Sequence, residues 1–288
     1  MNRHGFIGGS DAAAILGVSP WKSAVDLYLE KTEPQPERAE TPALRRGKRL
    51  EPYICDMLTA EHGLQLVRRN ERYADPEHPF LACEIDAETD DGQNVEIKTV
   101  HPFKAGEWGR DEDAIPVHYT AQAMHGLMIT GRDACIFAAL IGDDLRIYRV
   151  ERDAEIIAGM RAREVAFWNH HILPRIPPAP RTADETLALF ARDIGTSVEA
   201  TEAVAAALDR LRGVRADIKA AEAAESELLD TIKAHMRDAS NLTHNGRIIA
   251  TWKTQTARRI DIKALETAHP DIAEQFKRAS ESRVFRIK

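Results

Sequence analysis

The segment FLACEIDAETDDGQNVEIKTV, residues 80–100, reads as two strands joined by a tight turn. Period-two alternation puts Ala82, Glu84, Asp86 and Glu88 on one face of the first strand. Glu96 and Lys98 share one face of the second, and Val95, Ile97 and Thr99 take the other. Asp90-Asp91-Gly92 suits a three-residue hairpin loop with glycine in the left-handed position. In that register the numbers of paired residues sum to 182, so Asp86 lies opposite Glu96 with Lys98 two residues further along. Facing carboxylates repel unless a cation sits between them. An Asp/Glu/Lys set of this kind suits metal-assisted phosphodiester hydrolysis. Mg²⁺ takes one or two carboxylates and completes its shell with water and phosphate oxygens. The lysine orients or deprotonates the attacking water and balances charge in the transition state. Many exposed strands alternate acidic and basic residues, so a solvated acidic hairpin is the competing reading.

The charge distribution singles out the same segment. The chain of 288 residues has a formal charge of −7, from 39 Lys+Arg against 46 Asp+Glu. Residues 71–100 hold 2 basic and 9 acidic side chains, so they account for the whole excess. A net acidic chain is not an obvious nucleic-acid binder, yet concentrated carboxylates are what a divalent-cation site needs. The 43% hydrophobic and 30% charged content fits a globular protein with a real core. No apolar run reaches the roughly 18–20 residues of a membrane span, and no signal-peptide core is evident, so a cytoplasmic protein is expected. Cys55, Cys83 and Cys135 are too scattered for a zinc or iron–sulfur site and read as small core residues.

Helical and strand patterns alternate through residues 1–175, which predicts a mixed α/β domain. Ser19-Pro20 and Thr41-Pro42 each read as N-cap and first helical residue. A helix is predicted from Pro116 to Ile129, a hairpin over 134–150, and a helix from Asp153 to His171. Residues 176–197, entered through the proline-rich PRIPPAPRTADE, read as a linker. Residues 198–288 form an extension. It begins with an amphipathic stretch of Val204, Leu208, Leu211, Val214, Ile218, Leu228 and Ile232, with Gly213 a candidate break, and continues into an α+β tail.

Two further residues bear on the acidic hairpin. Glu51 falls on the apolar stripe of the helix from Pro42, in line with Gly47, Ile54 and Leu58. A lone buried carboxylate costs several kcal/mol unless paired or metal-linked, so Glu51 either pairs with Arg46 or Arg68 or serves a site. Gln122 shares a helix face with Tyr119, Gly126 and Ile129, and reads as an ordinary polar residue or a site residue. Trp21, Trp108 and Tyr119 either pack in the core or stack on a duplex end. Lys104, Arg110 and Arg132 are candidates for phosphate contacts.

The order of five blocks resembles a known family. These are RHGFIGGSDAAAILG (3–17), GKRLE (47–51), ACEIDAE (82–88), VEIK (95–98) and HYTAQAMHGLMIT (118–130). The chain is similar to lambda-type phage exonucleases, more closely the YqaJ-like viral recombinase branch of the PD-(D/E)xK nuclease superfamily. Position 85 is Ile rather than the Pro of the superfamily name. The resemblance implies a restriction-endonuclease-like α/β core, a mixed central sheet flanked by helices. It implies Asp86, Glu96 and the Ile97 carbonyl as ligands of Mg²⁺ or Mn²⁺, with two ions per site. Lys98 would act on the water, with Glu51 and Gln122 as further active-site residues. Arg3 and Ser10 would hold a DNA 5′-phosphate.

The implied function is a metal-dependent exonuclease that digests linear double-stranded DNA from 5′ to 3′ and leaves 3′ single-stranded tails for recombination. The implied setting is the bacterial host cytoplasm, with a phage or prophage gene, a single-strand annealing protein as partner, and a homo-oligomer, by analogy a trimer. A structure-specific or nicking endonuclease would use the same residues. A DNA-binding scaffold assembled through the long helix is the non-enzymatic alternative.

Overall fold

The computed structural model describes residues 3–34, 39–109, 115–279 and 282–288, without the side chain of Arg3; Arg110 lies outside them. The chain forms two compact units, divided between Ala191 and Arg192.

The first unit is built on five strands: β1 (Leu66–Ala74), β2 (Ala82–Thr89), β3 (Asn94–Val100), β4 (Ala134–Ile141) and β5 (Asp144–Glu151). They lie in chain order, and every neighbouring pair is antiparallel except β3 and β4. A parallel joint needs a crossover, and helix α4 (Val117–Thr130) lies within it. All eight residues of β4, ACIFAALI, are buried. A strand with both faces covered reads as a continuous apolar run rather than an alternation.

The two faces have separate cores. Helices α1 (Gly9–Leu16), α4 and α5 (Ala154–Phe167) contribute Ala12, Leu127 and Met160 to the core that holds Phe137 and Ala139. Helix α3 (Pro42–His62) brings Ile54, Cys55 and Leu58 onto Ala87, Val95, Ile97 and Ala138. The bounds of α3 follow from local chemistry. The Thr41 hydroxyl accepts from Leu44 N–H, Pro42 needs no intrahelical donor partner, and Gly63 ends the helix at φ 69°.

Helix α2 (Ala24–Thr32) begins later than Ser19-Pro20 predicts. Ser23 and Asp26 form a reciprocal capping box. The Ser19 hydroxyl instead accepts from Trp21 N–H at 3.2 Å and Lys22 N–H at 3.3 Å, a tight turn that precedes the helix. The stretch read as a linker, 176–197, contains helix α6 (Ala183–Leu189), with its own Thr182/Glu185 capping box. Ser23 donates to Glu185, so α6 is tied to the start of α2.

In the second unit α7 (Glu202–Met236) is one unbroken helix of 35 residues, roughly 52 Å long. Gly213 does not interrupt it, because a single interior glycine costs only about 1 kcal/mol. A hairpin of β6 (Asn241–His244) and β7 (Arg247–Thr251) follows, then α8 (Ile262–Ala268) and α9 (Pro270–Phe276). Among the described residues of this unit, Met236 alone is buried. No described helix is long and apolar enough to cross a membrane.

One buried ion cluster ties α1 to α2. Asp11 is fully buried, with Lys22 Nζ at 2.6 Å and Lys31 Nζ at 2.8 Å, and it accepts from Gly8 N–H. Burial favours the neutral acid, but the two ammonium groups win and hold its pKa down to about 2. The folded pKa lies below the unfolded one, so the stabilisation is present above about pH 4 and is lost as pH falls toward 2. Asp11→Asn should lower unfolding free energy by about 3 kcal/mol at pH 7, because it takes the carboxylate away from buried Lys31 and from partly exposed Lys22. Urea titrations of wild type and variant should converge as the pH drops from 4 to 2; a gap that stays constant would refute the assignment.

Candidate active site at the parting of two strands

The β2–β3 ladder pairs Ala87 with Val95 and Glu88 with Asn94, the predicted register. The pairing ends there. The Asp86 carboxylate takes over, its Oδ2 accepting from Ile97 N–H at 2.7 Å. A side chain thus satisfies a backbone donor that the ladder leaves free.

Glu96 stands on the α4 side of β3 and is 5% exposed. Its Oε2 receives Lys98 Nζ at 2.9 Å and Gln122 Nε2 at 2.6 Å. Burial raises the Glu96 pKa, Lys98 opposes, the charge of Asp86 adds to the rise, and the outcome is about 7. Burial alone would lower the Lys98 pKa, but the charges of Glu96 and Asp86 hold it well above the usual lysine value. Its ammonium lies 5.7 Å from the centre of the Tyr119 ring. Asp86, Glu96, Lys98 and Gln122 are therefore one cluster.

Glu51 approaches from α3, on the other face of the sheet. Its carboxylate makes no hydrogen bond or ion pair among the described residues. The alternative partner Arg68 donates to the Tyr73 hydroxyl at 3.4 Å instead. Burial raises the Cys55 thiol pKa, Arg69 opposes, and the charges of Glu51, Asp86 and Asp56 add to the rise. Ser10 lies in the first turn of α1, exposed, and shares a cavity of ≈ 550 Å³ with Trp21 and Lys22. Arg3 opens a short 3-10 turn, Arg3–Gly5; its side chain lies outside what is described. Trp108 is core, at 4% exposure, whereas Trp21 stands out at 69%. Arg132 is engaged with Glu88 and Asn94 rather than free for phosphate.

Two supports of the cluster lie outside the expected residues. His125, one turn beyond Gln122, places Nδ1 3.0 Å from both Glu164 oxygens and Nε2 3.0 Å from the Ala82 carbonyl. Both ring nitrogens face acceptors, the arrangement of a protonated imidazole. Burial would lower its pKa, but Glu164 and the Ala82 carbonyl raise it overall. This buried pair fixes α4 to β2 and α5. The second support is Gly9, where a Cβ would sit 3.0 Å from Gln122 Cγ. Its partner is 39 residues away for His125, and for Gly9 the neighbour is on another helix, so neither leaves a local pattern. The GGSDAAA run, rich in small residues, is the one sequence hint of a close helix approach.

The donor set suits a hard divalent cation. Hydrogen bonds to Asp86 use Oδ2 and those to Glu96 use Oε2, which leaves Oδ1 and Oε1 for a cation. Oxygen ligands fit Mg²⁺ or Mn²⁺. Among the described residues no three His, Cys, Asp or Glu side chains could hold a metal by themselves. A cation here must complete its shell with water, a backbone carbonyl or substrate oxygens.

Fold and site together define an α/β protein whose carboxylate–lysine cluster sits where a hairpin splits. Residues 1–133 match the family model described as the YqaJ-like viral recombinase domain. The uncharacterized protein YqaJ of Bacillus subtilis (strain 168) is 29% identical over 299 residues, which span 100% of this chain and 92% of that protein. Similar solved structures include the alkaline exonuclease LHK-Exo from Laribacter hongkongensis, at 19% identity and a TM-score of 0.46, covering 58% of this chain and 88% of that one. A phage-related exonuclease from Haemophilus somnus 129PT aligns at 15% identity and a TM-score of 0.45, covering 59% of this chain and 95% of that one.

Gly9→Ala should push Gln122 off Glu96 and destabilise the protein by about 1–3 kcal/mol, the usual cost of overpacking. Gly5→Ala, with nothing within 4 Å of the added carbon, should change stability by less than about 0.5 kcal/mol. Equal effects in chemical denaturation would remove the close-approach argument.

Proposed function

We propose that the chain is a metal-dependent exodeoxyribonuclease that acts on linear duplex DNA ends, from 5′ to 3′, and leaves 3′ single-stranded tails. The observation that carries this reading is the cluster of Asp86, Glu96, Lys98 and Gln122 at the strand parting, with oxygens left over for a cation. The YqaJ-like viral recombinase match supports a role in recombination.

In this reading Asp86, Glu96 and the Ile97 carbonyl would hold Mg²⁺ or Mn²⁺, two ions per site. When bound, the metal supplies charge stabilisation at the scissile phosphate and acidity to the attacking water. Lys98 orients that water and offsets negative charge as it develops. Gln122 holds Glu96 in place through its amide, and Glu51, on α3, is the further carboxylate of the proposed site. Ser10, in the first turn of α1, joins Arg3 at the 5′-phosphate, where helix N–H groups favour an anion. The tails suit a single-strand annealing protein as partner. A homotrimer in the cytoplasm of a phage- or prophage-bearing host completes the proposal.

Linear duplex DNA with Mg²⁺ should lose nucleotides from its ends, and chelator should stop the loss. Asp86→Ala or Lys98→Ala should cut the rate by about 10²-fold or more. Cleavage of covalently closed circles would instead favour an endonuclease, and full function in Asp86→Ala would favour a scaffold. A 5′-phosphate should speed digestion of the wild type, and Arg3→Ala should abolish that preference. If Arg3→Ala keeps the preference, the phosphate lies elsewhere.

A further inference from the structure

Beside the cluster lies a second cavity, of ≈ 640 Å³, whose walls include Trp21, His101, Trp108, His118 and Tyr119. This size falls in the range of small-molecule sites. His118 is 9% exposed, and its Nε2 has no hydrogen-bond partner among the described residues. A buried polar atom without a partner is costly, so it points to a group that arrives from outside. Trp21 meets His118 edge-on, with ring centres 4.5 Å apart, and His118 meets Tyr119 at 4.2 Å. Most of the Trp21 ring is open to solvent, and the Ser19 turn holds its backbone in place.

This aromatic run leads to the chemistry. Tyr119 lies 5.7 Å from Lys98 Nζ, and Thr99, the next residue, also lines the cavity. On its other side Trp21 walls the cavity that contains Ser10. The charge of the cavity argues against a free phosphate as occupant. Lys104 at its edge is paired with Glu107, and burial lowers the His118 pKa, which favours the neutral ring. Aromatic faces and a neutral hydrogen-bonding edge match a nucleobase instead, since every base has a π-face to stack. An unpaired base fits this edge, because pairing in a duplex would occupy the hydrogen-bonding groups that meet His118 Nε2.

We infer that this cavity is a nucleobase subsite: an unpaired nucleotide adjoining the cleaved linkage stacks on Trp21 and hydrogen-bonds to His118 Nε2. This rests on the nuclease reading above. His118 is a positioning residue here, and Trp21 supplies the stacking face.

The test is fluorescence anisotropy of dye-labelled tetrathymidylate with the full chain in chelator, so that no hydrolysis is required. An abasic tetranucleotide of the same charge is the comparison. Wild type should bind the base-containing probe about 10-fold more tightly than the abasic one. Trp21→Ala, a change at an exposed ring, should erase that difference. His118→Ala should weaken base-dependent binding several-fold, and His118→Asn, which restores a hydrogen-bonding group, should recover part of it. In steady-state digestion Trp21→Ala should raise KM more than it lowers kcat. Equal wild-type affinity for both probes, or an unchanged preference in Trp21→Ala, would overturn the subsite even if digestion proceeds as proposed. Base-dependent binding by a protein that digests nothing would uphold the subsite and reject the nuclease.

Discussion

The hydrogen bond from Ile97 N–H to the Asp86 carboxylate is the hinge of the domain. A hairpin that stayed zipped would bury its backbone groups in the ladder and leave no gap. Here the ladder stops at Ala87 and Val95, and a carboxylate caps the freed donor. That single exchange turns β2 away from β3 and opens the space into which Glu96, Lys98 and Gln122 converge. It also anchors one Asp86 oxygen, so the other is held with little rotational freedom. The parallel joint of β3 to β4 then places α4 above the gap, and α3 closes the far side.

Much of this was legible in the sequence because it is local. The hairpin register followed from alternation and a three-residue turn, and α3 from a Thr-Pro start and a glycine stop. The resemblance of five ordered blocks pointed to the residues that the fold brings together. Where local signals competed, the sequence misled: Ser19-Pro20 looks like a helix start, but the reciprocal Ser23/Asp26 box is the stronger cap. Helix α6 was hidden inside a proline-rich stretch, because its seven residues begin only after the prolines end.

The remainder was illegible because it depends on tertiary distance. Asp11 meets lysines 11 and 20 residues away, and His125 meets a glutamate in a different helix. Each looks like a stray polar residue in an apolar run until the chain folds. His118 is the converse case: its ring is buried in the right company, yet one nitrogen is left unanswered. The long helix α7 was legible as a periodic pattern, and it remained continuous through Gly213 because neighbouring turns carry it.

The three cysteines surround the site without serving it. All are free and buried, Cys55 on α3, Cys83 on β2 and Cys135 on β4. Burial pushes the Cys83 pKa up to about 12 and raises the other two. Since alkylation requires the thiolate, the native sheet shields them twice, by access and by protonation. Their reactivity is therefore a built-in clock. Each thiol is modified only when its own element breathes, so the relative labelling rates of the three report the order in which α3, β2 and β4 come apart.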